Sequence, residues 1–519
     1  MMIPRPLLPA LRRSTFSCAI TLAGLLGAAI PGTAAPEPAP AAAPAPADAS
    51  TPAAPAATPM SLDQAISLAL QRNQRIKVSS YSPGIGRANV LAAYGQFDPA
   101  LTFRRSYSES YLPSSNALLV NQLTKEDDYS LALEGATPWG LTYQLGGTAT
   151  NQRGTSNFFT DNYLTFGGLT VTQPLLRGFG FGANLANLRI AKADRTISDW
   201  QYRQTVIDTV TTVIIAYDDL AEAREMLTIA SRSRDLASQL VRDNEKRNRV
   251  GSISDADVTQ ARARAANREE QVLIARRGVH DLENRLRELT GEGRFIPDGP
   301  ELAVEPLTPA PTVAVDGAAD LRSALELRPD YQAARAGVTK LRANAALARN
   351  ELLPRLDFVG SYGYNGLDPS FAASRAQVRN REHRAYSAGM VVSIPLTFAQ
   401  GRGRARAAKL SLQQSQADLV RLEQDIALSV ASAIGQLETT AQRVQATTHA
   451  YELAQQALDA EEKRFKAGTS STFLVLQLQE QLAAVQASQV HAIADQWRAL
   501  ATYQHEIGTT LAVHHLKLQ

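Results

Sequence analysis

Cysteine is almost absent from this sequence. Cys18 is the only one in 519 residues, which excludes a disulfide framework and any thiolate metal site. A large excess of either charge is missing too: the net is +3, which gives no case for a nucleic-acid partner. After Ile30 no apolar run approaches the roughly 20 residues of a spanning helix. If the chain enters a membrane, it must do so as a β-barrel. Catalytic groups are scarce. The adjacent pair His514-His515 has no third ligand at motif spacing and reads as a solvated tail. The scattered carboxylates read as solvated helix faces, and no nucleophile motif is present. No cofactor, metal or reaction is indicated.

What is present begins with an export signal. Arg5, Arg12 and Arg13 precede the apolar run Phe16 to Ile30, and Thr33-Ala34-Ala35 offers a cleavage site, so 1–35 is expected to be removed. Cys18 lies at the start of the apolar run and leaves with it, so no acyl anchor is expected. Residues 36–59, nearly all Ala and Pro, read as an extended linker.

The rest follows one plan twice. Glu245-Lys246-Arg247-Asn248-Arg249-Val250-Gly251-Ser252 recurs as Glu462-Lys463-Arg464-Phe465-Lys466-Ala467-Gly468-Thr469, 217 residues on. The same offset carries Gly291 onto Gly508. Each copy has a basic helix end, a glycine suited to the left-handed position, and small hydroxyl residues to cap a following helix. Matched turns with matched flanks indicate an internal repeat of helical hairpins: repeat 1 over 60–291, a Pro/Gly-rich belt segment over 292–319, repeat 2 over 320–519. The very long helices that enter the turns, about 184–248 and 402–466, show coiled-coil spacing with Ala, Ser and Thr at the seam. At about 1.5 Å per residue they run close to 100 Å. The shorter helices, Asp255–Leu289 and Thr472–Ile507, are half that. The first is expected to stack end to end with the Asp320 helix, and the second with the Ser61 helix. Ser82-Pro83-Gly84 should interrupt the Ser61 helix.

Each repeat also holds a β region. Leu356, Phe358, Gly360, Tyr362 and Tyr364 alternate with polar or small residues, as do Tyr386, Ala388, Met390, Val392 and Ile394. Such strands, one-sided and tyrosine-ended, suit a membrane barrel, with Leu367 to Arg384 as an outer loop. In repeat 1 the equivalents are about 100–107 and 163–172. An additional hairpin, Tyr129 to Leu145 around Thr137-Pro138-Trp139-Gly140, either joins the wall or folds over the mouth. Both β regions exit through a proline, Pro174 and Pro395, where a residue without an N–H suits the strand-to-helix boundary. The glycines after Pro174 lack the βαβ context of a phosphate loop.

Order and doubling together resemble the TolC-like outer-membrane efflux family over nearly the whole mature chain. That resemblance implies a mixed fold: a barrel of about four strands per protomer shared in a trimer, continuous with a long antiparallel α-helical tunnel. It implies an outer-membrane channel of a tripartite efflux system, with its helical part in the periplasm. The implied partners are two further copies of the chain, outer-membrane lipid, a periplasmic adaptor protein and an inner-membrane pump. Four strands cannot close a barrel alone, and cyclic symmetry would close it. The adaptor contact would fall on the tips: Arg247, Val250, Gly251, Ser252, Arg464, Ala467, Gly468 and Thr469. An outlet for type I protein secretion uses the same architecture. A periplasmic coiled-coil adaptor, the reading from another class, would show one hairpin and no tyrosine-ended strands.

At the gate the chain departs from the family. Members carry acidic residues a few positions after the second tip glycine, forming a ring under threefold symmetry. Here the matching positions are the neutral Leu474 and Gln477. Asp257 stands at the repeat-1 equivalent of Leu474, with Asp255 beside it; the resemblance matches Asp257 to a residue tying neighbouring helices. The expectation is closure by apolar contact at Leu474 with weak cation selectivity. The alternative has Asp255 or Asp257 supplying the lumen charge.

Overall fold

The computed structural model describes residues 58–113, 122–291 and 301–516. The expected signal peptide with Cys18, the linker as far as residue 57 and the start of the belt segment lie outside them. Strand β1 (Thr58–Pro59) pairs in parallel with β6 (Leu302–Ala303), so the last two linker residues are structured.

Helix α1 (Leu62–Arg72) starts at Ser61, whose side chain accepts from the Gln64 N–H in a capping box. It ends at Asn73, and α2 (Gln74–Tyr94) follows at once. The expected interruption at Pro83 is therefore displaced. Asn73 breaks the helix because its Oδ1 accepts from the N–H groups of Arg75 and Ile76, at 2.9 and 3.3 Å, satisfying two donors that a continuous helix would bond otherwise. Pro83 stays helical because α2 is held on both sides of it: Ile76 is buried, and Gly86 lies against Arg195 so closely that a Cβ there would sit 3.1 Å from its Cα. Repeat 2 does the same with α6 (Gly317–Leu327) and α7 (Pro329–Glu351), which break at Arg328. Asn73 and Arg328 share a conformation, φ −62°, ψ 124° and φ −65°, ψ 121°. α6 begins at Gly317, capped by Asp316, three residues inside the expected belt.

The long helices are α4 (Ala186–Arg249, 64 residues) and α9 (Ala399–Lys466, 68 residues), with a five-residue helix, α3 (Gly180–Asn184), ahead of α4. They return through α5 (Asp255–Leu289) and α10 (Thr472–Glu506), 35 residues each. The expected partners for end-to-end stacking are exchanged. α5 ends on the α1–α2 break of its own repeat: Asn73 Nδ2 donates to Leu289 O at 2.8 Å, and Gly291 (φ 76°) packs on Arg72. α10 ends on the α6–α7 break: Arg328 donates to Glu506 O at 3.3 Å, and Gly508 (φ 75°) packs on Leu327. Only a backbone without Cβ can turn in the left-handed region and approach this closely.

Aliphatic side chains fill the space between the helices. One core gathers Ile66, Val206, Val210, Val213, Leu220 and Leu286; a second gathers Ala324, Ile426, Val430, Ala433, Leu500 and Tyr503. The belt straps both. Tyr217 Oη donates to Met60 O and accepts from Glu305 N, both at 3.0 Å. Trp497 Nε1 donates to Thr308 O at 2.7 Å. Helix α11 (Thr510–Val513) buries Thr510 and Leu511 against this layer. Of the pair expected as a solvated tail, His514 is half-buried and His515 is exposed.

Above the helices lies one antiparallel sheet in the order β2-β3-β4-β5-β7-β8: β2 (Ala100–Leu112), β3 (Gln122–Ala136), β4 (Thr142–Gly154), β5 (Tyr163–Pro174), β7 (Arg355–Asp368) and β8 (His383–Ser393). The additional hairpin joins the wall. β3 pairs with β2 along the whole of β2, and β4 pairs with β5, so the sheet has six strands where about four were expected. The hairpin's turn is pinned at the helical end: Gly180 N donates to Trp139 O at 3.0 Å, and Gly140 (φ 102°) packs on Gly178 O. The expected outer loop of repeat 2 contains a helix, α8 (Phe371–Asn380), folded back on β5 and β7.

Candidate functional site

Directly opposed residues share a sheet face. One row runs Leu101, Leu133, Leu145, Leu169, Tyr362, Tyr386; the adjacent row runs Ala100, Glu134, Gln144, Thr170, Ser361, Ser387. The first row is apolar, and every member of it is exposed; nearer the outer end the same face carries Arg105 and Arg153 paired with Asp127. The second carries a polar ladder: Gln144 Nε2 donates to Glu134 at 3.2 Å, and the Ser361 and Ser387 hydroxyls lie 2.7 Å apart. An apolar outside and a polar inside are what a barrel wall in lipid requires.

Sheet becomes helix at the proline exits. Pro174 is the last residue of β5, and Pro395 follows β8 by two residues. After Pro174 the chain turns on Gly178 and Gly180 (φ 84° and 83°). Gly178 N donates to Asn350 Oδ1 at 2.8 Å, and Asn184 Nδ2 donates back to Gly178 O at 2.7 Å. After Pro395 the work falls to Phe398, at φ 51°.

At the opposite end both tips close alike. Val250 and Ala467 cap the long helices; Gly251 and Gly468 sit at φ 75° and 78°. Ser252 N donates to Arg247 O at 2.9 Å, and Thr469 N to Arg464 O at 3.0 Å. This is the six-to-one bond of a glycine-terminated helix. Arg247 lies over the Phe465 ring at 4.1 Å and Arg264 over Phe473 at 5.8 Å, so the two hairpins of one chain meet through guanidinium–aromatic contacts. Arg464 turns to the buried Glu461 at 3.5 Å. Sequence reading missed Phe465 and Glu461, although both stand within or beside the repeated motif.

The four gate candidates separate into two kinds. Asp257 is the third helical residue of α5 and completes a capping box, its Oδ2 accepting from Ser254 N at 3.2 Å and Ser254 Oγ at 2.8 Å. Asp255 accepts from Asn248 Nδ2 at 3.0 Å, tying α5 to α4. Both carboxylates thus hold the tip together locally. Leu474, at the equivalent position, cannot complete a box; its N–H is capped by Ser471 alone, and its side chain is 39% exposed. Gln477, one turn on, is also exposed.

Midway along the helices the repeats are joined by charge. His505 of α10 places Nε2 3.0 Å from Asp208 Oδ1 of α4 and Nδ1 3.3 Å from Glu506 Oε1. Carboxylates only accept, so both ring nitrogens carry protons. The bond to Asp208 and then that to Glu506 push the imidazole up to about 9. Glu506, bonded to His505 and Ser429 and paired with Arg328, is held down to about 2. Nearby, Arg498 of α10 bonds Asp219 of α4 at 2.7 Å and also Glu222. Burial pushes Asp218 up to about 7. Nothing in the sequence pattern pairs these positions, which lie far apart in the chain.

A one-chain sheet with a lipid-type face, a polar face and two helical hairpins below it defines the protomer of an outer-membrane channel. Residues 65–292 and 321–508 match the family described as outer membrane efflux protein, and the chain belongs to that family. It is 26% identical over 343 residues to the outer membrane efflux protein BepC of Brucella suis, covering 64% of this chain and 70% of that one. It is 27% identical over 298 residues to the pyoverdine export outer membrane protein OpmQ of Pseudomonas putida, covering 53% and 58%. The chain thus spans little more than half of this second relative. Among solved structures, the outer-membrane channel OprN superposes with TM-score 0.67 at 19% identity, covering 86% and 89% of the two chains. The open state of the MtrE channel of Neisseria gonorrhoeae superposes with TM-score 0.61 at 18% identity, covering 86% and 88%. The protein is an outer-membrane efflux channel with its helices in the periplasm.

Proposed function

We propose that three copies of this chain form one channel, which receives small molecules from a periplasmic adaptor and an inner-membrane pump and releases them outside. The observation that carries the reading is the pair of open edges. Among the described residues β2 bonds only β3, and β8 bonds only β7. An unpaired strand edge does not persist in lipid, where each unsatisfied backbone group costs several kcal/mol. Pairing β2 of one copy with β8 of the next removes all edges in a closed ring. With six strands per chain, a trimer gives a wall of about 18 strands, wider than the roughly 12 of a four-stranded protomer. The tips then form a sixfold pseudo-symmetric end, two hairpins from each chain, offering Arg247, Val250, Gly251, Ser252, Arg464, Ala467, Gly468 and Thr469 to the adaptor. Leu474 supplies the apolar closure, because Asp255 and Asp257 are engaged in capping. A small-molecule cargo is supported by the relative named for pyoverdine export.

The test is the mass of the detergent-solubilised protein by light scattering. About three protomer masses are expected; a monodisperse monomer that keeps its β signal would overturn the reading.

A further inference from the structure

Helix α8 connects β7 to β8. It lies across the apolar, outward face of the sheet, at the end remote from the helical hairpins. Its attachment is specific. Ser374 is fully buried, its Oγ 2.8 Å from Thr165 Oγ1 and donating to Tyr163 O at 2.8 Å. Leu367 N donates to Gln377 Oε1 at 2.9 Å. Two glycines make room: a Cβ on Gly366 would stand 2.0 Å from Ser374 O, and one on Gly167 would stand 2.8 Å from Val378 Cγ1. The helix is therefore fixed to the barrel wall at the outer boundary of the apolar belt.

Fixed there, α8 walls a groove of about 550 Å³. The floor is the outward face of β2 to β5, including Phe103, Leu131 and Leu145, and the wall is Phe371, Arg375 and Val378. The groove opens to the lipid side, where an acyl chain is the available apolar filler. Its rim is basic. Arg375 and Arg379 stand one turn apart on α8, and Arg384 shares the outward face of β8 with Tyr386. Among the described residues none of the three has a carboxylate partner. Of the acids that flank α8 in the sequence, Glu382 accepts from Asn380 and Asp368 accepts from Ser370 N. Arg375 and Arg384 instead lie 6.0 and 5.6 Å from the rings of Phe371 and Tyr386. Free guanidinium groups at a membrane boundary suit phosphate, which they bind in a two-pronged fashion.

We propose that this groove binds a phosphorylated lipid of the outer leaflet, one acyl chain lying along the sheet and a phosphate held by Arg375 and Arg379. The proposal rests on the reading of this face as lipid-facing; the number of copies in the ring does not enter it. The experiment delipidates the purified full-length protein in detergent, adds diphosphorylated lipid A or phosphatidylcholine, and counts retained lipid by native mass spectrometry. Wild type is expected to retain lipid A at least tenfold over phosphatidylcholine. Arg375→Gln/Arg379→Gln should lose that preference, and Arg375→Lys/Arg379→Lys should keep most of it. Leu131→Trp, which fills the groove and leaves the arginines, should reduce retention by a similar factor; it provides the reading should the arginine variants fail to fold. Equal retention of the two lipids by wild type, or wild-type retention by a folded Gln variant or by Leu131→Trp, would overturn the assignment.

Discussion

His505 offers a test of how the two repeats are held together. Its imidazole bridges Asp208 of α4 and Glu506 of α10, and the same Glu506 receives Arg328 from the α6–α7 break and Ser429 from α9. The perturbation is His505→Gln, which keeps a donor and removes the charge. In the folded protein the imidazole lies at about 9, against an ordinary 6.5. At 1.36 kcal/mol per unit this difference corresponds to about 3 kcal/mol of stability. The folded value is the raised one, so the contribution is fully present below about pH 6.5 and is lost as pH rises through about 9. Glu506, held near 2, and Asp208, held below its ordinary 3.8 by its bonds to His505 and Gln204 although burial opposes this, stay ionised throughout that window. Asp218, pushed up to about 7 by burial, adds slope of the same sign, but it does so in wild type and variant alike. The assay is guanidinium unfolding of the detergent-solubilised protein, followed by helix ellipticity from pH 6 to pH 9.5. The stability gap between wild type and His505→Gln should shrink by about 3 kcal/mol across that range. A gap that does not change with pH would refute a charged bridge.

Gly251→Ala meets open space at φ 75° and should cost about 1 kcal/mol, the ordinary price of left-handed backbone. Gly291→Ala would bring Cβ within 2.5 Å of Arg72 Cβ and should cost clearly more; Asn should rescue position 251 but not 291, as read by the same unfolding curves. Gly251→Val and Gly468→Val should impair adaptor-dependent export while leaving the mass of the purified channel unchanged; intact export from both variants would remove the tips from the adaptor contact. Planar-bilayer reversal potentials should show weak cation preference in the unmodified channel and a clear one in Leu474→Asp. No change on that substitution would place Leu474 away from the lumen.

Much of the architecture was legible because it rests on local patterns. The doubled tip needs a left-handed residue and a cap, and few residue types supply either. The strands announced themselves by alternation. What the pattern could not carry was partner choice. Equal lengths allow α5 to stack on either short helix, and the contact at Gly291 that decides it involves Arg72, more than two hundred residues away. Pro83 looked like the stronger breaker, yet a helix held on both sides by α4 tolerates one missing N–H, while Asn73 supplies caps that favour a break. The additional hairpin was visible, but its place in the wall is a matter of register with β2 and β5. Helix α8 left only a faint trace: Gly167 and Gly366, each on the apolar face of a strand where a larger side chain would be expected.

The two repeats agree where they pack on each other and differ where they end. Asn73 matches Arg328 in backbone, and Gly291 matches Gly508 in conformation. These positions set the angle and stacking of helices that must run side by side for about 100 Å, so one geometry has to serve twice. At the tips the backbone of the turn is still shared, Gly251 with Gly468, but the side chains around it are not. Asp257 completes a capping box where Leu474 does not, and the buried Asn244 stands where Glu461 pairs with Arg464. At the outer end repeat 1 adds the β3–β4 hairpin to the wall, and repeat 2 adds α8 on its outside. Substitutions that alter what the channel passes or touches should therefore concentrate at Leu474, Gln477, the β3–β4 hairpin and α8. Those at the Asn73 and Arg328 breaks should act on stability first. A scan that found export specificity changed by variants at the breaks, with unfolding midpoints intact, would contradict this division.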